Sequence, residues 1–214
     1  LISRVFFMML TQPFKCKSCQ RWIVCLMSKH VILIPGGFKP PTVAHYEMVR
    51  KYSEHPSVIK VVVVQTSHIR EGFGPESTKK VFDWYGGFND KVKYVMDKES
   101  KRGAIEKVHR LVNDSSFTSK YPSDTIYAMG SGNKDKDAKR IEDFLTYYEK
   151  RPEALQEGVR IGPPPFVYEV CTKNGENVSS SALREALRKG DDNKISTCIP
   201  RFRSPRNFPR NFST

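Results

Sequence analysis

The sequence predicts an α/β protein, a doubly wound Rossmann-like parallel sheet of about five strands with helices on both faces. Three observations predict it. The runs Val31-Ile32-Leu33-Ile34 and Val61-Val62-Val63-Val64 are continuously apolar, as strands buried on both faces of a parallel sheet are. Strand and helix patterns alternate along the chain, which implies crossover connections between parallel strands. The 214 residues suit one domain with a continuous core.

Taken in order, residues 31–35 read as the first strand, 42–55 as a helix and 58–64 as a second buried strand. Gly72, Gly74 and Pro75 mark a loop before a helix over 77–85, whose Phe82, Trp84 and Tyr85 read as core. A strand over 92–96, a helix over 101–112 and a strand over 125–129 follow. The helix over 135–150 is charged on one side and carries Ile141, Phe144, Leu145 and Tyr148 on the other, which makes it an amphipathic cover for the sheet. Residues 166–171 are expected to form the last strand. In such sheets a ligand sits outside the carboxyl ends of the strands where the winding reverses, so the first strand is expected to border that crevice.

The formal net charge of +13 suggests nucleic acid or an anionic membrane surface as partner, but its distribution argues otherwise. Arg4, Lys15, Lys17 and Arg21 at one end and Arg201, Arg203, Arg206 and Arg210 at the other have no acidic neighbours, and without these eight the chain is only +5. Both ends look foreign to the domain. Residues 1–27 lack helical or strand periodicity, and Met27 leads straight into the first strand. They are expected to be a non-native or disordered extension, residues 28–199 the folded domain, and residues 200–214 a disordered, low-complexity basic tail. No apolar run reaches the length of a membrane span, and the stretch from Val5 to Leu10 is a poor signal peptide. The five cysteines include Cys16 and Cys19 in a CxxC without a second pair; reduced thiols in a cytoplasmic protein, without structural zinc, are the expectation.

Two short segments carry the chemistry. Gly36-Gly37-Phe38-Lys39-Pro40-Pro41-Thr42-Val43-Ala44-His45 turns out of the first strand and places His45 in the first turn of a helix. Val178-Ser179-Ser180-Ser181-Ala182-Leu183-Arg184 opens another helix. Helix N-termini present unpaired N–H groups and the positive end of the macrodipole, so both segments suit phosphate. Each feature also has an ordinary reading. Thr42 and the serines could serve as helix caps, His45 could be a surface histidine and Lys39 a solvated loop charge.

These segments resemble the two signatures of the nucleotidylyltransferase superfamily, GxFxPxHxGH with Thr often in place of the first His, and ISSTxxR. Gly36, Phe38, Pro40, Thr42 and His45 fall in register with the first, and residues 178–184 with the second, Ser181 standing in the Thr place. Ala44 replaces the Gly that precedes the second His. The likeness covers residues 31–187, and the Gly-Gly-Phe-Lys-Pro-Pro form is most similar to the cytidylyltransferase-like proteins of bacteriophages.

The resemblance implies transfer of a nucleoside monophosphate from ATP or CTP to a small phosphorylated acceptor, with pyrophosphate released. It implies that His45 contacts the α-phosphate and that Thr42 donates its hydroxyl to the acceptor or the α-phosphate. Backbone at Gly36, Gly37 and Phe38 lines the cleft, Ser179, Ser180 and Ser181 hold the β- and γ-phosphates, and Arg184 adds charge there. Lys39, by its place in the loop, is a further candidate for phosphate, with the solvated loop charge as the other reading. Gly130 and Gly132, in a loop after the fourth strand, permit close approach of base and ribose. Lys79 is a candidate for the acceptor phosphate. Mg²⁺ is expected as cofactor, held through the triphosphate and water rather than by a carboxylate cage. No membrane partner is expected, and the sequence leaves homo-oligomerisation open. Two competing functions are a nucleotide-binding module with weak or no turnover, motivated by Ala44 and Thr42, and a basic nucleic-acid-binding protein. A class I aminoacyl-tRNA synthetase, which shares a related His-containing entry motif, lacks its Lys-Met-Ser-Lys-Ser partner and an anticodon-binding module here.

Overall fold

Val31, Ile32, Leu33 and Ile34 are all buried because β1 (His30–Gly36) runs down the middle of a sheet covered on both faces. The computed structural model describes residues 28–97, 103–133, 136–169 and 178–209. The sheet holds β2 (Val58–Thr66), β3 (Val92–Asp97), β4 (Ile126–Met129) and β5 (Arg160–Ile161) in the order β3-β2-β1-β4-β5, and every pairing is parallel. Leu33 stands opposite Met129 and Ile34 opposite Val63. The winding proceeds from β1 through β2 to β3, then returns to the other side of β1 at β4. The reversal therefore falls between β1 and β4, as the doubly wound expectation requires.

The two-residue period of a strand assigns the side chains to two cores. Ile32, Ile34, Val61 and Val63 face one layer, built by α1 (Val43–Glu54), α2 (Pro75–Tyr85), α6 (Ser180–Lys189) and α7 (Asp192–Cys198). Val31, Leu33, Val62 and Val64 face the other, built by α3 (Ala104–Val112), the short α4 (Ser115–Thr118) and α5 (Lys136–Lys150). Leu183 is fully buried and fastens α6 to the first layer. Its truncation to alanine would cost ~2–5 kcal/mol and would disturb a helix that also carries Ser181 and Arg184.

Local chemistry sets the element ends. Ser179 accepts the N–H of Ala182 at 3.1 Å to start α6, and Gly190, at φ 66°, ends it in the left-handed conformation that favours glycine. Pro75 stands in the first turn of α2, where its missing N–H costs nothing. Among the described residues no helix is long and apolar enough to cross a membrane.

Two expectations change. The last strand was expected over 166–171, but Arg160–Ile161 pairs with β4 instead, and residues 166–169 contribute only a bridge from Tyr168 to Gly132. Three consecutive prolines, Pro163 to Pro165, separate the two and cannot donate to a ladder. Residues 170–171 lie outside the described residues, as do the 1–27 extension with its CxxC and Asp135. The tail is also more engaged than its low complexity suggests. Phe208 is buried in the first layer with its ring 5.5 Å from that of Trp84, and the Arg203 guanidinium lies 5.5 Å from the same indole, so aromatic pairing with α2 packs residues 200–208.

Candidate functional site

A cavity of ≈ 420 Å³ opens at the carboxyl ends of β1, β2 and β4, at the reversal of the winding. Both motif segments border it. Gly36, Gly37, Phe38, Lys39, Ala44 and His45 come from the first and Val178, Ser180, Ser181 and Arg184 from the second.

The loop between β1 and α1 contains Pro40 and Pro41, which lack N–H groups, so it cannot satisfy itself with a backbone ladder. Side chains from two helices hold it. The Phe38 carbonyl accepts from the Thr78 hydroxyl at 2.8 Å, and that of Pro41 from the Tyr85 hydroxyl at 2.9 Å, both on α2. The Lys39 carbonyl accepts from the Arg184 guanidinium at 2.5 Å, and that of Pro40 from the Ser180 hydroxyl at 2.8 Å, both on α6. Four successive carbonyls, groups that would repel a phosphate, are thereby engaged by protein donors.

Phe38 takes a φ of 48°, a conformation costing a non-glycine residue ~1–2 kcal/mol. Burial of its ring offsets this. The ring lies edge-on to the His45 imidazole at 5.1 Å and packs 6.0 Å from Phe82. It also explains Gly36, because a Cβ there would sit 2.4 Å from the ring. Gly37 is different, since a Cβ there would meet nothing within 4 Å. Space above Gly37 is open for a ligand.

His45 is oriented by its own helix cap. The Thr42 N–H donates to His45 Nδ1 at 3.0 Å, and Thr42 Oγ1 lies 2.9 Å from the same nitrogen. A ring accepting at Nδ1 and neutral carries its proton on Nε2, so it is a donor there. Thr42 is fully buried, behind His45 rather than on the cavity wall. The geometry gives it an orienting place, not the direct phosphate contact expected of it.

Lys39 is 5% exposed, and burial pulls its ammonium below the ordinary lysine value. Its Nζ donates to Thr66 Oγ1 at 2.9 Å, to the Thr66 carbonyl and to the His68 carbonyl. It ties the loop to the end of β2 while lining the cavity. Arg184, also 5% exposed, donates through Nε to Glu71 at 3.0 Å and through Nη2 to the Ser181 hydroxyl at 3.1 Å. Ser179 caps α6 and lies off the main cavity.

Gly132 lines the cavity, but Gly130 serves packing. A Cβ at Gly130 would stand 2.5 Å from Ile32 and 2.9 Å from Ile34. Lys79 lies away from the cavity, on the exposed side of α2, with its ammonium 2.7 Å from Asp83.

Several lining residues carried no motif. His68 and Arg70 follow β2, while Asp137 and Arg140 stand on the first turns of α5, 2.6 Å apart. Their place after the carboxyl ends of β2 and β4, the strands on either side of β1, is the signal that could have found them. With Lys39 and Arg184, Arg70 and Arg140 make the cavity cationic. Among the described lining residues Asp137 is the one carboxylate, and among the described residues no cluster of three His, Cys, Asp or Glu could hold a metal ion.

No protein-family model matches the chain, and no curated protein matches it in sequence. Among solved structures it is similar to Enterococcus italicus Csm6 bound to cyclic hexa-2'-fluoro-hexa-dAMP, with 15% identity and a TM-score of 0.39 over 78% of this chain. The chain spans 40% of that protein's length. It is also similar to Plasmodium falciparum nicotinic acid mononucleotide adenylyltransferase complexed with APC, with 14% identity and a TM-score of 0.37 over 80% of this chain and 90% of that one. At these scores neither likeness bears on activity.

Proposed function

We propose that the protein is a nucleotidylyltransferase of the superfamily its motifs resemble, moving a nucleoside monophosphate from ATP or CTP to a small phosphorylated acceptor and releasing pyrophosphate. One observation carries this reading. Residues 140 and 145 apart in sequence, Ser180 with Pro40 and Arg184 with Lys39, are hydrogen-bonded across a single cationic cavity that also holds His45. Its volume falls in the range of small-ligand sites.

In the proposed reaction an acceptor phosphate oxygen attacks the α-phosphorus in line. The bond from that phosphorus to the bridging oxygen breaks, and its electron pair leaves with pyrophosphate. The acceptor is already ionised, so positioning and charge stabilisation do most of the catalysis. His45 donates from Nε2 to a non-bridging α-oxygen as charge builds. The open face of Gly37 lets the backbone approach the same phosphate. Backbone N–H groups at the start of α6, the Ser181 hydroxyl and Arg184 hold the β- and γ-phosphates. Mg²⁺, bound with the triphosphate, would be held by phosphate oxygens and water and would neutralise their charge, while Asp137 is engaged by Arg140. The base and ribose then lie toward Gly132, Ser131 and Tyr168, and a cytoplasmic location accompanies this activity.

The test is pyrophosphate release with Mg²⁺, ATP and CTP each being offered with nicotinamide mononucleotide, phosphopantetheine, glycerol 3-phosphate and phosphocholine. Acceptor-dependent release supports the reading and names the nucleotide. Nucleotide binding without release on any acceptor would favour the binding module, and absence of binding would favour the basic nucleic-acid-binding protein.

A further inference from the structure

Glu71 is out of place by backbone chemistry. Arg70 and Phe73 exchange both backbone hydrogen bonds, each at 3.0 Å, around a two-residue turn with φ 49° at Glu71 and 80° at Gly72. Such a turn favours Asn, Asp or Gly at its first central position, since a longer side chain is strained there. The carboxylate gives a reason for the choice. It accepts from Arg184 Nε at 3.0 Å and lies 3.7 Å from Arg188 Nε, joining a surface turn to a guanidinium buried in α6.

The direction of that contact matters. Arg184 stands between the main cavity and a shallow outer groove, and Glu71 lines the groove only. Glu71 therefore holds the guanidinium from behind. Its Nη1 edge is fixed by the Lys39 carbonyl, and Nη2 donates forward to the Ser181 hydroxyl on the cavity wall. A hydroxyl oxygen that accepts from a guanidinium keeps its own proton to donate. The same turn follows His68 and Arg70 on that wall, and its far end is anchored by the buried Phe73.

We propose that Glu71 is a positioning residue: by holding Arg184 from behind it sets the Ser181 hydroxyl as a donor to an anion in the cavity and keeps His68 and Arg70 on the cavity wall. This rests on the reading of the cavity as a triphosphate site. It adds a carboxylate that strengthens anion binding, where simple Coulomb repulsion gives the opposite sign.

That opposition makes the test sharp. Binding of inorganic tripolyphosphate to the full chain is measured by calorimetry for the wild type, Glu71→Gly and Glu71→Gln, with a thermal melt of each. Glycine suits the left-handed position, so Glu71→Gly removes the carboxylate while relaxing the backbone. The expected result is a thermal midpoint close to wild type with tripolyphosphate binding weakened about tenfold, the scale of one charge-assisted hydrogen bond. Glu71→Gln keeps an acceptor for Arg184 Nε and should stay within about threefold of wild type. Binding by Glu71→Gly as tight as wild type, or tighter, overturns the proposal, the latter showing that the carboxylate competes with the ligand. Equal losses in the Gln and Gly variants also overturn it. A folded wild type that does not bind tripolyphosphate at all overturns the triphosphate reading itself, and the proposal with it.

Discussion

Two depressions open at opposite ends of the same sheet, and β4 runs between them. Its carboxyl end reaches the main cavity through Met129, Ser131 and Gly132. At the other end Thr125 and Tyr127 border a hollow of ≈ 230 Å³. The lower hollow is lined by neutral hydroxyls such as Ser119, Tyr121 and Ser123, with Glu157 as the charged group among its described lining residues. The upper one gathers the cations Lys39, Arg70, Arg140 and Arg184, two of them almost wholly buried. Burying cations is costly unless each is paired or hydrogen-bonded, and here Lys39 is held by Thr66 and the His68 carbonyl, Arg184 by Glu71, Ser181 and the Lys39 carbonyl, and Arg140 by Asp137. The triphosphate proposed above would complement that concentration of positive charge.

The largest effect that could break this contrast is at His45. Replacement by alanine removes an oriented donor and should lower turnover by about 10²–10³, the usual loss for a group that stabilises charge in a transition state. The structural cost should be small, ~1 kcal/mol, since His45 also contributes to the α1 cap. Steady-state pyrophosphate release and a denaturant melt on the same variant separate the two.

Next come two glycines of opposite meaning. Gly130→Ala forces a methyl against Ile32, Ile34 and the Tyr52 ring and should destabilise the fold by ~1–3 kcal/mol. Gly37→Ala meets no protein atom within 4 Å, so its melt should match wild type while nucleotide affinity falls. A stable Gly130→Ala, or a Gly37→Ala with unchanged affinity, would remove the distinction between a packing glycine and a ligand-facing one.

Acid sharpens the contrast from a different side. His30, His55 and His109, all away from the main cavity, have pKa values held below the ordinary imidazole value, chiefly by burial; a hydrogen bond to the Ser28 carbonyl opposes the shift at His30. The folded chain thus binds fewer protons than the unfolded one in mild acid. Stability from these groups is complete above about pH 6.5 and declines as the pH falls through their lowered values. Denaturant midpoints should stay level from pH 7.5 to about 6.5 and fall from there to pH 5; a profile flat throughout would contradict the assignment. The smallest effect belongs to the lower hollow, where Ser119→Ala should leave turnover unchanged and stability within ~0.5 kcal/mol.

Much of this architecture was legible in the chain because strands buried on both faces cannot hide their apolar runs. β1 and β2 were readable from Val31 and Val61 onward for that reason. β5 was not, since a two-residue edge strand leaves no periodicity, and the aromatic run after Pro165 imitates one. The site divided along the same line. Resemblance to two short motifs singled out His45, Ser180, Ser181 and Arg184, which lie in local segments and which the structure brings to one cavity. Glu71, Arg70 and Arg140 reach the cavity and its flank only through the order of the strands, which no local pattern records. Gly130 looked like a ligand glycine because its true neighbours come from β1 and α1, and the place of Lys79 on the exposed side of α2, paired with Asp83, is likewise not written in its local segment.

The most direct test follows the α-phosphorus. Wild-type protein and His45→Ala would be incubated with Mg²⁺, an acceptor that supports pyrophosphate release, and ATP or CTP labelled at the α-phosphate or, separately, at the γ-phosphate. The account predicts that α-label moves into the acceptor product, that γ-label leaves as pyrophosphate, and that His45→Ala slows both together. Label passing to the acceptor from the γ-position, with α-label left in a nucleoside diphosphate, would show attack at the wrong phosphorus and contradict it.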